Sequence, residues 1–82
     1  MKYYYTYVLK LSNNDLYIGS CADIKKRMGG HLNGRVNTTK EFRPLQLVYF
    51  EGCLSKKNAI KRELQLKTGF GRGYIKRRLK GR

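Results

Sequence analysis

The sequence predicts an α+β domain, a small three-stranded, largely antiparallel sheet flanked by about three helices. Three observations carry that reading. The chain opens on aromatic and β-branched residues in two short runs split by a cluster of turn formers, the signature of a β-hairpin. Apolar residues at helical spacing follow Asp23 and again follow Ser55. Between those stretches lies one further apolar segment, so the order is strand, strand, helix, strand, helix, helix.

The first strand reads as Tyr3 to Leu11 and the second as Leu16 to Ser20, joined by Ser12-Asn13-Asn14-Asp15. Strand parity leaves two registers open. With an even loop Tyr17 faces Lys10 and lies across the sheet from Tyr7; with an odd loop or a bulge it pairs near Leu9 and shares a face with Tyr7. Asp23 then caps a helix whose Ile24, Met28 and Leu32 recur every four residues, with Gly34 as its stop. Gly29 and Gly30 lie inside it and cost about 1 kcal/mol each relative to alanine, so the helix leans on tertiary contacts.

Residues 33 to 44 are polar and basic without an apolar period and read as an exposed loop. Leu45 to Glu51 is the third strand, with Leu45, Leu47 and Tyr49 on one face and Val48 and Phe50 on the other or buried as well. Ser55 caps a second helix running to about Thr68 and ended by Gly69, its apolar positions being Ala59, Ile60, Leu64 and Leu66. Phe70-Gly71-Arg72-Gly73 reads as a glycine-hinged turn leading into a short basic helix from Tyr74 to Leu79. No repeat or linker interrupts the chain, and 1–82 reads as a single domain with one modest core.

Charge narrows the function classes. Nineteen Lys and Arg stand against 5 Asp and Glu, a formal net charge of +14. So large an excess points to a polyanionic partner, above all nucleic acid. A membrane is not expected, because no apolar run reaches about 18 residues and the N-terminus lacks the apolar stretch and cleavage site of a signal peptide; the default expectation is a soluble cytoplasmic protein. Cys21 and Cys53 are too few for a disulfide framework, and with one histidine a zinc site is not expected, so both cysteines read as small core or near-core residues. Phosphate contacts are expected from Lys10, Lys56, Lys57, Lys61, Arg62, Arg72, Lys76, Arg77, Arg78 and Lys80, giving affinity without sequence reading.

Two groupings carry chemistry. Helical spacing puts Glu63 on the face of Ala59, Ile60 and Leu64, at or beside the core. A carboxylate there must be paired, hydrogen-bonded or metal-bound. One option is a salt bridge to Lys67 or to a strand cation; the other is ligation of a hard divalent cation such as Mg²⁺, which often takes one carboxylate and fills its shell with water and phosphate. Arg27 and His31 lie four apart on the first helix, about 6 Å along its axis. They read either as solvated residues or as a phosphate clamp, for which the arginine fork is suited.

Tyr5-Thr6-Tyr7 and Tyr17-Ile18-Gly19, ten residues apart, followed by Arg27, His31 and the Glu63 of Ala59-Ile60-Lys61-Arg62-Glu63, resemble the motifs of the GIY-YIG nucleases. The Lys67-Thr68-Gly69-Phe70-Gly71 tail is similar to that of small stand-alone bacterial members. The chain departs from the pattern in the first tripeptide, where Tyr5 and Thr6 replace Gly and Ile and only Tyr7 matches. The resemblance implies hydrolysis of a DNA phosphodiester with one divalent ion, Mg²⁺ or Mn²⁺. It makes Glu63 the metal ligand, Arg27 the stabiliser of phosphoryl charge, and Tyr7 the residue that helps activate water. Tyr17 and His31 would position water or relay protons.

The residue chemistry is compatible with those roles. A phenol near pKa 10 acts as a base only if cations lower it, for which a metal, Arg27 and Lys10 are candidates. His31, with an ordinary pKa near 6.5, is the competing base, and the sequence does not rank the two. The nuclease resemblance requires Tyr7 and Tyr17 to share a face. Gly19 is read as a place of close backbone approach, and Tyr3, Tyr5, Tyr49 and Tyr74 as strand and core residues. The expected function is a DNA endonuclease of low sequence specificity, possible roles being structure-selective cleavage in repair or recombination. The alternative is a non-catalytic basic nucleic-acid-binding module on the same fold.

Overall fold

In the computed structural model, which describes residues 2–80, the aromatic-rich first strand β1 (Tyr4–Lys10) becomes the centre of the sheet, with Thr6 to Leu9 buried on both faces. It pairs antiparallel with β2 (Leu16–Cys21) on one side and β3 (Gln46–Cys53) on the other, in the order β2-β1-β3. The hairpin loop runs from Leu11 to Asp15, closed by a 2.8 Å bond from Leu11 N–H to the Asp15 carbonyl, with Asn14 in the left-handed region at φ 71°. That odd loop sets the register Tyr7 opposite Gly19 and Leu9 opposite Tyr17. Tyr7 and Tyr17 therefore lie on the same face.

The third strand carries a bulge that period-two reasoning missed. Val8 pairs with Tyr49 but Leu9 pairs with Leu47, leaving Val48 as the extra residue. Leu47 and Tyr49 thus fall on opposite faces, and Val48 and Tyr49 pack on the same side. Phe50 is exposed and meets the Tyr5 ring edge-on.

Each face of the sheet is covered by helix. Val8 and Ile18 pack on Leu66 of α2 (Lys56–Leu66) and Ile75 of α3 (Gly69–Lys80). Thr6, buried on that side, donates its hydroxyl to the Ala59 carbonyl at 2.9 Å and fastens α2 to the central strand. Tyr7, Leu9 and Leu45 form the other core, covered by Ile24 and Met28 of α1 (Ile24–Leu32). Among the described residues no helix is long and apolar enough to cross a membrane.

Several expected details are corrected. Leu32 is exposed, and the inward position after Met28 belongs to His31 instead. Ile60 and Leu64 also face solvent; α2 turns Ala59 and Leu66 inward and leaves Arg62 and Glu63 half-buried on its flanks. The stretch 33–44 is not simply exposed, because Thr39 is fully buried ahead of a single 3-10 turn, Lys40–Phe42. Cys21 and Cys53, by contrast, are half-buried and free, in keeping with the near-core reading.

Gly69 neither ends α2 nor hinges a turn. It is the first residue of a helix that absorbs all three glycines to Gly73. A Cβ on Gly71 would lie 2.3 Å from the Gln65 carbonyl oxygen and 2.4 Å from Leu66 Cα. The glycine lets α3 start flush against the end of α2, a packing requirement that reads in sequence like a loop signal.

Candidate active site

The site is assembled around β2, an edge strand. Tyr7 reaches it from the neighbouring strand, its ring lying across Gly19, where a Cβ would stand 2.6 Å from the phenol oxygen and 2.7 Å from Cζ. No larger residue fits there unless Tyr7 moves. Tyr17, two residues back along β2, presents its ring 6.4 Å from that of Tyr7, centroid to centroid.

α1 begins directly after β2, capped by the Asp23 carboxylate accepting from the Lys26 N–H at 3.0 Å. One turn apart on it, Arg27 and His31 take opposite fates. His31 is fully buried rather than solvated: its Nε2 lies 2.9 Å from Tyr7 Oη and its Nδ1 lies 2.8 Å from Thr39 Oγ1. Its ring also stands edge-on to those of Tyr7 and Tyr17, at 5.6 and 5.4 Å. Arg27 is exposed and lines a groove formed with Tyr4, Ser20, Cys21, Ala22, Lys56, Ala59 and Ile60. A second concavity continues past Arg27 along Lys26, Gly30, Arg35 and Val36.

Glu63 arrives from the other face. Ser20 alternates with Gly19 and so points toward α2, where its hydroxyl donates to Glu63 Oε1 at 2.6 Å. Lys67 Nζ donates to Oε2 at 2.7 Å, so the salt bridge anticipated from spacing is present. Tyr7, Tyr17, Arg27 and His31 are thus gathered on one side of β2, and Glu63 reaches the same strand from beneath through Ser20.

Burial and charge set the protonation states. Burial pushes the Tyr7 phenol up to about 12, with the adjacent Arg27 guanidinium opposing it. Arg27 therefore does not by itself lower Tyr7 into a basic range. Lys10 gives no help, since it is three residues along β1 and exposed on the opposite face. Burial, reinforced by Arg27, holds the His31 ring below its ordinary pKa and so neutral. At Glu63 burial acts upward, but Lys67, Ser20 and Arg27 outweigh it and keep the carboxyl below the usual range. Burial raises the Cys21 thiol.

For a metal, Glu63 supplies one hard carboxylate beside the Ser20 hydroxyl. Among the described residues no group of three His, Cys, Asp or Glu side chains is placed to hold an ion. The donor set thus fits a hard divalent cation that keeps water and substrate phosphate as its other ligands, and does not fit a closed protein cage.

The basic residues divide. Lys56 lines the groove, Lys57 and Lys61 are exposed on α2, and Arg72, Lys76, Arg77 and Lys80 are exposed on α3. Arg62 is not free for phosphate: it pairs with Glu51 of β3, and its guanidinium lies 5.1 Å over the Tyr74 ring. Arg78 sits over the same ring at 5.5 Å. Sequence reasoning passed over Lys26 and Arg35 in the second concavity, and Ser20 and Thr39 beside the site. Strand alternation from Gly19 was a signal for Ser20; Thr39 had none, because its contact is made by a loop folding back on α1.

Residues 3–78 match the family described as the GIY-YIG catalytic domain. A UPF0213 protein of Staphylococcus saprophyticus is 44% identical over 69 residues, covering 83% of this chain and 84% of the relative. One from Staphylococcus epidermidis is 38% identical over 69 residues, with the same 83% and 84% coverage. The solution NMR structure of the UPF0213 protein BH0048 from Bacillus halodurans shares the fold, with a TM-score of 0.57 at 24% identity, covering 89% of this chain and 81% of that one. The match runs from the first tyrosines through Arg27 and His31 to Glu63 and into α3, and on that extent the chain belongs to the GIY-YIG catalytic domain family.

Proposed function

We propose that this chain is a divalent-metal-dependent endonuclease that hydrolyses DNA phosphodiester bonds with little sequence specificity. Membership of the family supports a nuclease-type function. The observation that carries the finer reading is the convergence of Tyr7, Arg27 and, through Ser20, Glu63 on one edge strand beside a groove containing Lys56.

In this reading Arg27 receives a phosphate entering the groove, its fork fixing two oxygens and countering charge that grows in the transition state. Glu63, with one oxygen held by Ser20, would hold Mg²⁺ or Mn²⁺, which when bound supplies Lewis-acid stabilisation of phosphoryl oxygen. Tyr7, once ionised, accepts a proton from the attacking water. Tyr17 and the buried ring of His31 wall the phenol and keep it oriented. The remaining basic residues hold the backbone without reading bases, so selectivity would come from DNA shape, as suits a repair or recombination enzyme.

The alternative, a non-catalytic basic module, is favoured by one observation: Glu63 already has its charge satisfied by Lys67. Cleavage of duplex, flapped, branched and single-stranded DNA with Mg²⁺ or Mn²⁺ separates the two. Glu63→Ala and Arg27→Ala are each expected to lose at least about a hundredfold in rate while DNA binding persists. Equal activity in wild type and both variants would identify a contaminant and favour the binding module.

A further inference from the structure

Tyr3, Tyr5 and Phe50 form a row of aromatic rings on the face of the sheet that carries Tyr7. Strand alternation puts Tyr5 on that face, and the pairing of Phe50 with Tyr7 and of Gly52 with Tyr5 brings β3 alongside. α1 covers only part of this surface. Its Ile24 and Met28 pack over Tyr7, Leu9 and Leu45 and leave Tyr3 47% and Phe50 55% exposed. Tyr3, read from sequence as a strand and core residue, is therefore neither, since β1 begins at Tyr4.

Packing accounts for one ring. Tyr5 lies over Gly52, where a Cβ would stand 3.2 Å from its Cε1, and so covers an edge-strand glycine. It does not account for the exposure of the other two. The rings of Tyr3 and Tyr5 are 6.5 Å apart and tilted by 39°, and Phe50 meets Tyr5 at 6.3 Å and 61°. No pair is stacked face to face, so ring faces stay open to a planar ligand.

The surroundings say which ligand. Tyr3 and Tyr5 line a concavity with Lys2, Lys25, Ala22 and Asp23. Asp23 is occupied there with capping α1, its carboxylate accepting from the Lys26 N–H. Ala22, at the corner between β2 and α1, also lines the groove of Arg27 and Lys56, so the aromatic concavity and the groove meet at this residue. An apolar protein partner would have to bury both lysines, and a second copy would set its own +14 against this one. A strand with unpaired bases satisfies rings and lysines together, the bases on the first and the phosphates on the second.

We propose that Tyr3, Tyr5 and Phe50 are a stacking platform for the unpaired bases of single-stranded DNA, next to the phosphate that Arg27 receives. Its alignment with the cut rests on the nuclease reading; the stacking itself does not. The substrate is then DNA with a single-stranded stretch beside the scissile bond, because the bases of a continuous duplex are stacked on one another and offer no free face. Stacking tolerates any sequence, so the platform selects strand state without reading bases.

Fluorescence anisotropy in EDTA tests this with three labelled probes: a single-stranded oligonucleotide, a duplex of the same length, and the single strand with its central bases removed. Tyr3→Leu and Phe50→Leu keep apolar bulk at exposed positions, and Tyr5→Leu keeps a cover over Gly52. Each should weaken single-strand binding by about fivefold or more and leave duplex binding unchanged. The salt dependence should not move, since no phosphate contact is lost. Wild type should bind the abasic strand as weakly as the variants bind the intact one. Unchanged single-strand affinity in Tyr3→Leu and Phe50→Leu, equal losses on single strand and duplex, or full affinity for the abasic strand overturns the proposal. A dimer in sedimentation that Tyr3→Leu disperses would assign the face to a second copy and overturn it too. Circular dichroism melts report whether Tyr5→Leu folds, and the other two variants decide if it does not. Because binding is read without metal, failure here is distinct from failure of the nuclease reading, which Glu63→Ala tests by cleavage.

Discussion

A second proton on His31 would place a charge on a ring buried inside the fold and close to the Arg27 guanidinium. The ring's pKa is therefore below the ordinary value, and the sign of the consequence is fixed. In the unfolded chain the ring protonates as pH falls through about 6.5, while in the native state it does not, so the unfolded state binds more protons. Stability is fully present above about pH 6.5 and declines as pH falls toward the folded-state pKa. Thermal melts should show that decline in wild type and lose it in His31→Phe. The same slope in both proteins would place the acid sensitivity elsewhere. Glu63 adds a separate loss lower down, where its depressed carboxyl finally protonates. Spacing alone showed that Arg27 and His31 share a helix face, but not that one is solvent-facing and the other sealed. That division comes from Tyr7 and the Thr39 loop closing over the second residue.

At the scale of elements, the glycines separate into two kinds that sequence cannot distinguish. In α1, a Cβ on Gly29 would meet nothing within 4 Å. Gly29→Ala should therefore stabilise by up to about 1 kcal/mol through helix propensity. In α3, a Cβ on Gly71 would press into the backbone of Gln65 and Leu66, which has no flexible end to yield. Gly71→Ala should destabilise by about 2 kcal/mol despite the better propensity. Urea titration of the two variants checks the opposite signs, and matching shifts would contradict the packing argument. The strands show the same limit. Turn residues made the hairpin legible, whereas the bulge at Val48 leaves no mark that a period-two reading detects.

For the whole molecule, the +14 net charge sets how the protein meets a polyanion. The logarithm of DNA affinity should fall linearly with the logarithm of salt concentration, losing about 0.9 in slope for each phosphate contact removed. Lys26→Gln, Arg35→Gln and Lys56→Gln, in and around the groove, should each flatten the slope by about one contact. Arg62→Gln should leave it unchanged and lower stability instead, since Arg62 is spent on Glu51 and Tyr74. Binding isotherms across a salt series distinguish the two groups. A slope flattened by Arg62→Gln would show that its ion pair opens to receive phosphate.

Local sequence signals specify the order of elements, the caps at Asp23 and Ser55, the basic character, and the residues that mark the family. These are local or compositional: caps, turns and periodicity act within a few residues, and charge is a sum. Tertiary structure alone decided the odd hairpin register that puts Tyr7 beside Tyr17, the burial of His31 by Thr39, and the approach of Glu63 through Ser20. It also decided that Arg62 faces Glu51 rather than solvent. Each of these depends on which distant side chain fills a space or satisfies a donor, and that is fixed only when the helices close on both faces of the sheet.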